Sequence, residues 1–366
     1  MSLTAVWSVR LANERNVKSR GPVLAGGAVY QLFHYDKRDF FESRLMALAL
    51  ATGEELWNTT VDHVANRPAI GADGTVFLSS FDGAVAAYDP NGNQIWRCDA
   101  IESNIGPPTL AGSDHLVLAE IHGRARRTWC LDARTGAVLW TFDNGGHSYT
   151  LAATQDVVVH ATVVSGANFG ESTVRLFALS AWDGSVRWSV THTEYMFVPV
   201  IIDDTVVVGA RGAVLGYDLA SGKERARLAL PEGTAAMHLL ALPENSMAAA
   251  DDATTLRYLE LQRQRRFFRS NTKLMERWAS PLSNPAVGGP VELGASVSIL
   301  TESGQLEMFD ARQGHRTGAL DLRTGHHQSG GAARSGEFLA IAHGRTVCAY
   351  RYGGIGSPPS VVHVDR

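Results

Sequence analysis

The chain has 366 residues, 33 basic and 37 acidic, for a net charge of −4, and its mean hydropathy is −0.07. No global positive field draws it to nucleic acid or an anionic membrane, no apolar run is long enough for a membrane-spanning helix, and the chain is too apolar to be disordered. Thirty-six glycines, eight tryptophans and only 19% charged residues mean more turns and less charge than an average soluble protein carries.

Met1 to Arg10 has neither a basic n-region nor an apolar h-region, so no secretory leader is expected. Cys98, Cys130 and Cys348 are too widely spaced for a zinc ribbon and odd in number for a disulfide framework. A reducing, cytoplasmic location is the expectation, periplasmic only if a leader has been removed.

In chain order, Ala5-Val-Trp7-Ser-Val9 reads as a lone outer strand. It resembles Leu56-Trp57-Asn-Thr-Thr, which closes the first copy of a repeat, Leu48-Ala-Leu-Ala-Thr-Gly53-Glu-Glu-Leu-Trp57. The repeat returns at Gly92/Trp96, Gly136/Trp140 and Gly184/Trp188, and weakly at Gly222/Ala226 and Gly314/Gly318. The glycines are 39, 44, 48, 38 and 92 residues apart. Each glycine follows turn-forming residues, as a hairpin needing positive φ requires. The tryptophan four residues later suits a strand covering the joint between blades. Short β-rich runs such as Thr75-Val-Phe-Leu, Val157-Val-Val-His and Thr205-Val-Val-Val fill the intervals.

Four short strands per 40-odd residues predict propeller blades. Eight units start near Pro22, Pro68, Pro107, Thr150, Pro199, Leu239, Pro285 and Gly330. The expected fold is therefore an all-β, eight-bladed β-propeller of four-stranded antiparallel blades. Residues 5–9 complete the last blade, the single domain covers 5–352, and 353–366 is a flexible tail.

The run at Leu131 to Trp140, of the form A-L-D-x-x-T-G-x-x-x-W, resembles the tryptophan-docking repeat of eight-bladed quinoprotein-like propellers. That superfamily holds pyrroloquinoline-quinone alcohol dehydrogenases and the BamB-type outer-membrane assembly lipoproteins. The resemblance covers roughly residues 5–352 and implies architecture more than activity. The dehydrogenase branch implies export, adjacent cysteines and calcium ligands, and no two cysteines are adjacent here. The lipoprotein branch implies a lipidated cysteine near the start, whereas the first is Cys98. The expectation is a cytoplasmic relative without quinone-dependent catalysis and with no assigned cofactor or metal. Trp7, Trp57, Trp96, Trp140, Trp188 and Trp278 are its blade-docking residues.

Functional residues are sought where the chain departs from its repeat. Blade 1 carries an insertion at 34–44 with Tyr35, Lys37, Arg38, Phe40 and Phe41. Blade 3 carries one with Arg124, Arg126 and Arg127, and blade 4 one with Phe169. Blade 6 has a basic arm with Arg263, Arg265, Arg266, Phe267, Phe268 and Arg269. Arginines around aromatics suit a protein interface or stacked bases; for this acidic chain a protein is expected and nucleic acid is not.

One residue per blade is expected at the pore mouth: Arg20, Arg67, Asn104, Tyr149, Phe197, His238, Asn284 and Gln328. His147, Glu194, Tyr195, His326 and His327 lie beside them. Imidazoles with a carboxylate would suit zinc, yet no HExxH or HxH spacing supports a metal, and a polar mouth or small-ligand site is the expectation. Asp203-Asp204 and Asp251-Asp252 read as turn residues, and no P-loop, GxGxxG or GxSxG occurs. The reading is a non-catalytic scaffold propeller that presents mouth and loops to a protein partner. The alternative is a lyase, hydrolase or cyclase acting at the mouth.

Overall fold

The computed structural model describes all residues except 1–2, 12–16, 38–39, 62, 102, 123–125, 166–171, 194, 253, 267–268, 354–361 and 366. Among the described residues there is no α-helix, and so none long and apolar enough to cross a membrane. The strands form eight sheets, antiparallel but for one edge pair in the last blade, in which sequence neighbours are sheet neighbours except where the two chain ends meet, the pattern of a β-propeller.

Residues 1–100, 283–311 and 315–366 form one compact unit, and residues 101–282 with 312–314 a second. The first holds blade 1 (17–61), blade 2 (69–98), blade 7 (291–321, apart from 312–314) and blade 8 (330–352 with 3–10). The second holds blade 3 (104–143), blade 4 (147–192), blade 5 (196–229) and blade 6 (236–281).

Blade 8 joins the two ends of the chain. Its outer strand Leu3–Arg10 pairs antiparallel with Thr346–Tyr352, from Leu3↔Tyr352 to Arg10↔Thr346, with a bulge between Ala5 and Trp7. The sequence reading leaves the C-terminal residues outside the fold, but Val362–Asp365 pairs parallel with the other edge of Leu3–Arg10. Main-chain groups that an outer strand would otherwise leave unpaired are thereby satisfied.

Prolines shape the inner strands. In blade 1, Val17–Ser19 and Val23–Ala25 both pair with Ala28–Lys37, and the interruption falls at Arg20-Gly21-Pro22. In blade 3, Asn104–Ile105 and Thr109–Ala111 flank Pro107-Pro108. Proline has no N–H to give the ladder, so the strand is interrupted at these positions.

Between blades the contact is a tryptophan on a hairpin glycine. In the first unit Trp7 lies on Gly53 and Trp57 on Gly92; in the second, Trp140 lies on Gly184, Trp188 on Gly222 and Trp278 on Gly314. A Cβ at any of these glycines would come 2.6 Å from an indole atom, and every one has φ between +70° and +86°. The indole N–H of Trp7 donates to Leu50 O at 2.9 Å, that of Trp140 to Ala181 O at 2.9 Å, and that of Trp188 to Leu219 O at 2.8 Å. The joint thus uses ring area and the polar edge together. In blade 3 the turn beneath the strand is held by Asp132, whose Oδ1 accepts the N–H groups of Arg134 and Thr135.

Trp7 is 2% exposed and packs with Val9, Phe33, Met46, Leu48, Ala340 and Val347. Trp7→Ala is expected to cost about 3–5 kcal/mol, and Trp7→Phe to lose mainly the indole hydrogen bond, about 1 kcal/mol; urea unfolding measures both. Gly222→Ala is expected to cost roughly 2–4 kcal/mol, because a strained φ adds to a clash with Trp188. Gly212→Ala, at φ +75° with nothing within 4 Å of the new Cβ, is expected to cost only about 1 kcal/mol.

Candidate functional site

The inner-strand ends of the first unit hold Arg20 and Arg67. Fully buried Gln31 donates to Arg20 O at 2.9 Å and Leu32 O at 2.8 Å, fixing the main chain at the break. The Arg20 Nε–H donates to His34 Nε2 at 3.1 Å. His34 must then carry its proton on Nδ1, which donates to Ser43 Oγ at 2.8 Å; Ser43 in turn donates to His63 O at 2.7 Å. Burial, with the nearby charges of Arg20 and Lys18, lowers the His34 pKa to about 4. Arg67 donates from Nη2 to Pro22 O at 2.8 Å. Both residues are solvent-exposed, yet desolvation by surrounding protein lowers the pKa of each guanidinium from the ordinary value.

Elsewhere in that unit, His327 and His343 pack edge to face at 5.1 Å. Thr324 meets both, its hydroxyl at His343 Nδ1 and its carbonyl accepting from His327 Nε2 at 3.0 Å. Burial, then the His327 charge, lowers the His343 pKa to about 4. His326 lies 3.4 Å from Glu302. Asn284 is half-buried and Gln328 exposed.

In the second unit, Tyr195 and Phe197 are 5.1 Å apart on blade 5, and exposed Met237 stands at the start of the inner strand of blade 6. Beside Met237, burial lowers the His238 pKa. His147 donates from Nδ1 to Ile121 O at 3.0 Å. Asn104 Oδ1 and Glu120 Oε2 are buried without hydrogen-bond partners; Glu120 Oε1 accepts from the Trp129 indole at 3.0 Å. Among the described residues no three His, Cys, Asp or Glu side chains are grouped to hold a metal ion.

The basic arm of blade 6 is a prolongation of its hairpin. Thr255–Arg266 and Arg269–Pro281 pair, with one bulge between Tyr258 and Leu259, out to Arg266↔Arg269. Arg263 braces it against blade 5, donating to Asp204 at 2.7 Å and Asp203 at 3.3 Å. Arg225 extends the network to Asp204 at 2.9 Å and on to Asp218. At the hairpin base Arg257 is buried between Asp251 at 3.0 Å and Glu276 at 2.6 Å. Asp251 holds its turn as expected, its Oδ1 accepting the Thr255 N–H at 2.8 Å, and is in addition a buried ion-pair partner.

In blades 1 and 4 the strand pairs likewise run on towards the insertions, to Lys37↔Phe40 and Ser165↔Ser172, whereas in blade 3 the pairing ends at Ala119↔Thr128. Tyr35 corrects the sequence reading: it faces the core with Trp7 and Phe33, because strand alternation carries it inward. Arg126 donates weakly to Gly145 O at 3.4 Å, and Arg127 is exposed. Arg38, Arg124, Phe169, Glu194, Phe267 and Phe268 lie outside the described residues. Lys37, Phe40, Phe41, Tyr149, Arg265, Arg266 and Arg269 are placed by strand position alone.

A family model described as outer membrane protein assembly factor BamB matches residues 41–196 and 82–317, well over half of the chain. The chain belongs to the BamB family. Similar curated proteins are the BamB of Nitrosomonas eutropha (strain DSM 101675 / C91 / Nm57), 24% identical over 236 residues (61% of this chain, 54% of that protein), and of Burkholderia pseudomallei (strain K96243), 23% identical over 239 residues (61% and 58%). The chain thus spans just over half the length of the curated relatives it matches. BamB from Moraxella catarrhalis superposes with a TM-score of 0.67 at 15% identity, over 98% of this chain and 100% of that one. A quinohemoprotein alcohol dehydrogenase from Comamonas testosteroni gives 0.68 at 14%, over 98% and 78%. These two likenesses establish the fold.

BamB membership overturns the expected cytoplasmic location, since the family and both curated relatives are outer membrane protein assembly factors. A blade repeat packs identically on either side of a membrane, and three buried thiols report shielding from solvent rather than compartment.

The sequence reading passed over the histidines set inside apolar strands. His160, in Val157-Val-Val-His, is fully buried between Phe177 and Phe142 at 5.3 and 6.3 Å; Nδ1 meets Ser148 Oγ at 3.3 Å and Nε2 has no partner. Burial lowers its pKa to about 3. Below pH 6.5 the unfolded chain therefore binds a proton that the fold refuses, and stability falls as pH drops, by about 1.4 kcal/mol per unit for each such histidine. His160→Gln is expected to make the decline between pH 6 and 4 shallower by about that slope, read from urea unfolding at each pH.

Proposed function

We propose that this BamB-family chain is a non-catalytic interaction propeller that holds a protein partner within a larger assembly. The observation that carries the reading is the blade 6 hairpin, prolonged beyond its neighbours and braced on blade 5 by Arg263. An extension that served no contact would gain little from a fixed position, since ordering it costs conformational entropy. Residues 261–275 contain five cations and no acid, which suits an acidic partner surface. Exposed Tyr195 and Met237, with half-buried Phe197 against Tyr195, add apolar area of the kind enriched at interfaces. The names of the family and its relatives agree with work in an assembly.

Replacing 263–272 by a two-residue turn is expected to leave the melting temperature near that of the parent, because the blade's core pairing from Thr255 to Leu261 is kept. Partner recovery in an affinity capture from native membranes is expected to fall at least tenfold. Undiminished capture would remove the hairpin from the interface, and no stoichiometric partner for the parent chain would overturn the reading.

A further inference from the structure

In the first unit, Arg20 and Arg67 differ from the arginines that acids hold. Arg97, Arg225, Arg227, Arg257, Arg263 and Arg277 each meet a carboxylate. Among the described residues Arg20 and Arg67 meet none, and their hydrogen-bond partners, an imidazole nitrogen and a carbonyl oxygen, are neutral acceptors. The two are close by construction, since the Arg67 guanidinium sits on the carbonyl of Pro22, two residues from Arg20.

Their positions are held firmly. Gln31 fixes the main chain at Arg20, and the run Arg20–His34–Ser43–His63 O fixes its guanidinium. A buried polar chain of this kind costs desolvation and is maintained only when its members are satisfied. Its end product is an oriented cation facing solvent with no anion. Each guanidinium spends one N–H group on the protein, Nε of Arg20 and Nη2 of Arg67, and keeps its remaining donors for solvent. Desolvation, which lowers the pKa of both, also strengthens any charge–charge contact made there. Arginine forks match the paired oxygens of carboxylates and phosphates.

We infer that Arg20 and Arg67 form a binding site for a compact soluble oxyanion carrying about two negative charges, an inorganic phosphate or a small dicarboxylate. His34 serves it as a positioning residue, neutral at pH 7 so that its Nε2 accepts from Arg20 rather than opposing it.

Isothermal titration of the full chain with sodium phosphate and, separately, with sodium succinate, at ionic strength held constant with sodium chloride, tests this. A saturable one-to-one isotherm for at least one probe is expected, and which probe gives it distinguishes phosphate from carboxylate. Arg67→Gln and Arg20→Gln are each expected to weaken it at least tenfold, about 1.4 kcal/mol. Arg67→Lys and Arg20→Lys, which keep the charge and lose the fork, are expected to bind between parent and Gln variants; they decide the matter should a Gln variant not fold. His34→Gln, whose amide can still accept from Arg20, is expected to bind within a few-fold of the parent, and His34→Leu to lose binding as the guanidinium is released. Absence of a saturable isotherm for both probes, or binding unchanged in the Arg variants, would overturn the site.

Discussion

Five tryptophans seated on five hairpin glycines carry the structure from blade to blade within each unit. A blade alone is a small twisted sheet with two apolar faces, too little to bury on its own. The indole covers the joint, while the glycine, left-handed and without a Cβ, gives the ring a floor that no other residue leaves open. The turn and the joint are therefore one device. The same Asp- and Thr-rich turn that reverses the chain also sets the glycine under the ring, so local hairpin chemistry and long-range packing favour a single register.

That frame frees the remainder to vary. Where it is kept, as at Trp140 on Gly184, the residues between tryptophans have only to alternate correctly. Where it is exceeded, as in the hairpin reaching Arg266↔Arg269, the added length is held by charge rather than by core: Arg263 and Arg225 share Asp204 at the surface. Exposed pairs contribute little stability individually, so this network acts on position more than on folding. At the inner-strand ends the economy is reversed. The proline that interrupts blade 1 leaves Arg20 at the end of its strand, with its N–H still paired to Leu32 O, and a chain of neutral groups then orients its guanidinium.

BamB membership and the propeller fold follow from different kinds of information. The fold is shared with a quinohemoprotein dehydrogenase at 14% identity, so it says nothing of chemistry by itself. Family membership rests on the blade sequences across 41–317 and moved the protein to the company of outer membrane assembly factors, against a location argued from leader and thiols.

The sequence by itself determined the blades. Gly53, Gly92, Gly136, Gly184 and Gly222 recur at a near-constant interval because every blade solves the same turn and joint, and such a period is legible without coordinates. The N-terminal strand was legible too, since Trp7 repeats the environment of Trp57. Tertiary structure alone decided which polar residues face inward: a strand's alternation has two phases, and the phase carried Tyr35 and His160 into the interior. It alone decided that Val362–Asp365 pairs with Leu3–Arg10, since a four-residue parallel strand has no turn to announce it. It also decided which arginines are paired. Arg263 and Arg20 look alike as letters, and they differ because a carboxylate pair, Asp203 and Asp204, folds back against one while a neutral histidine meets the other.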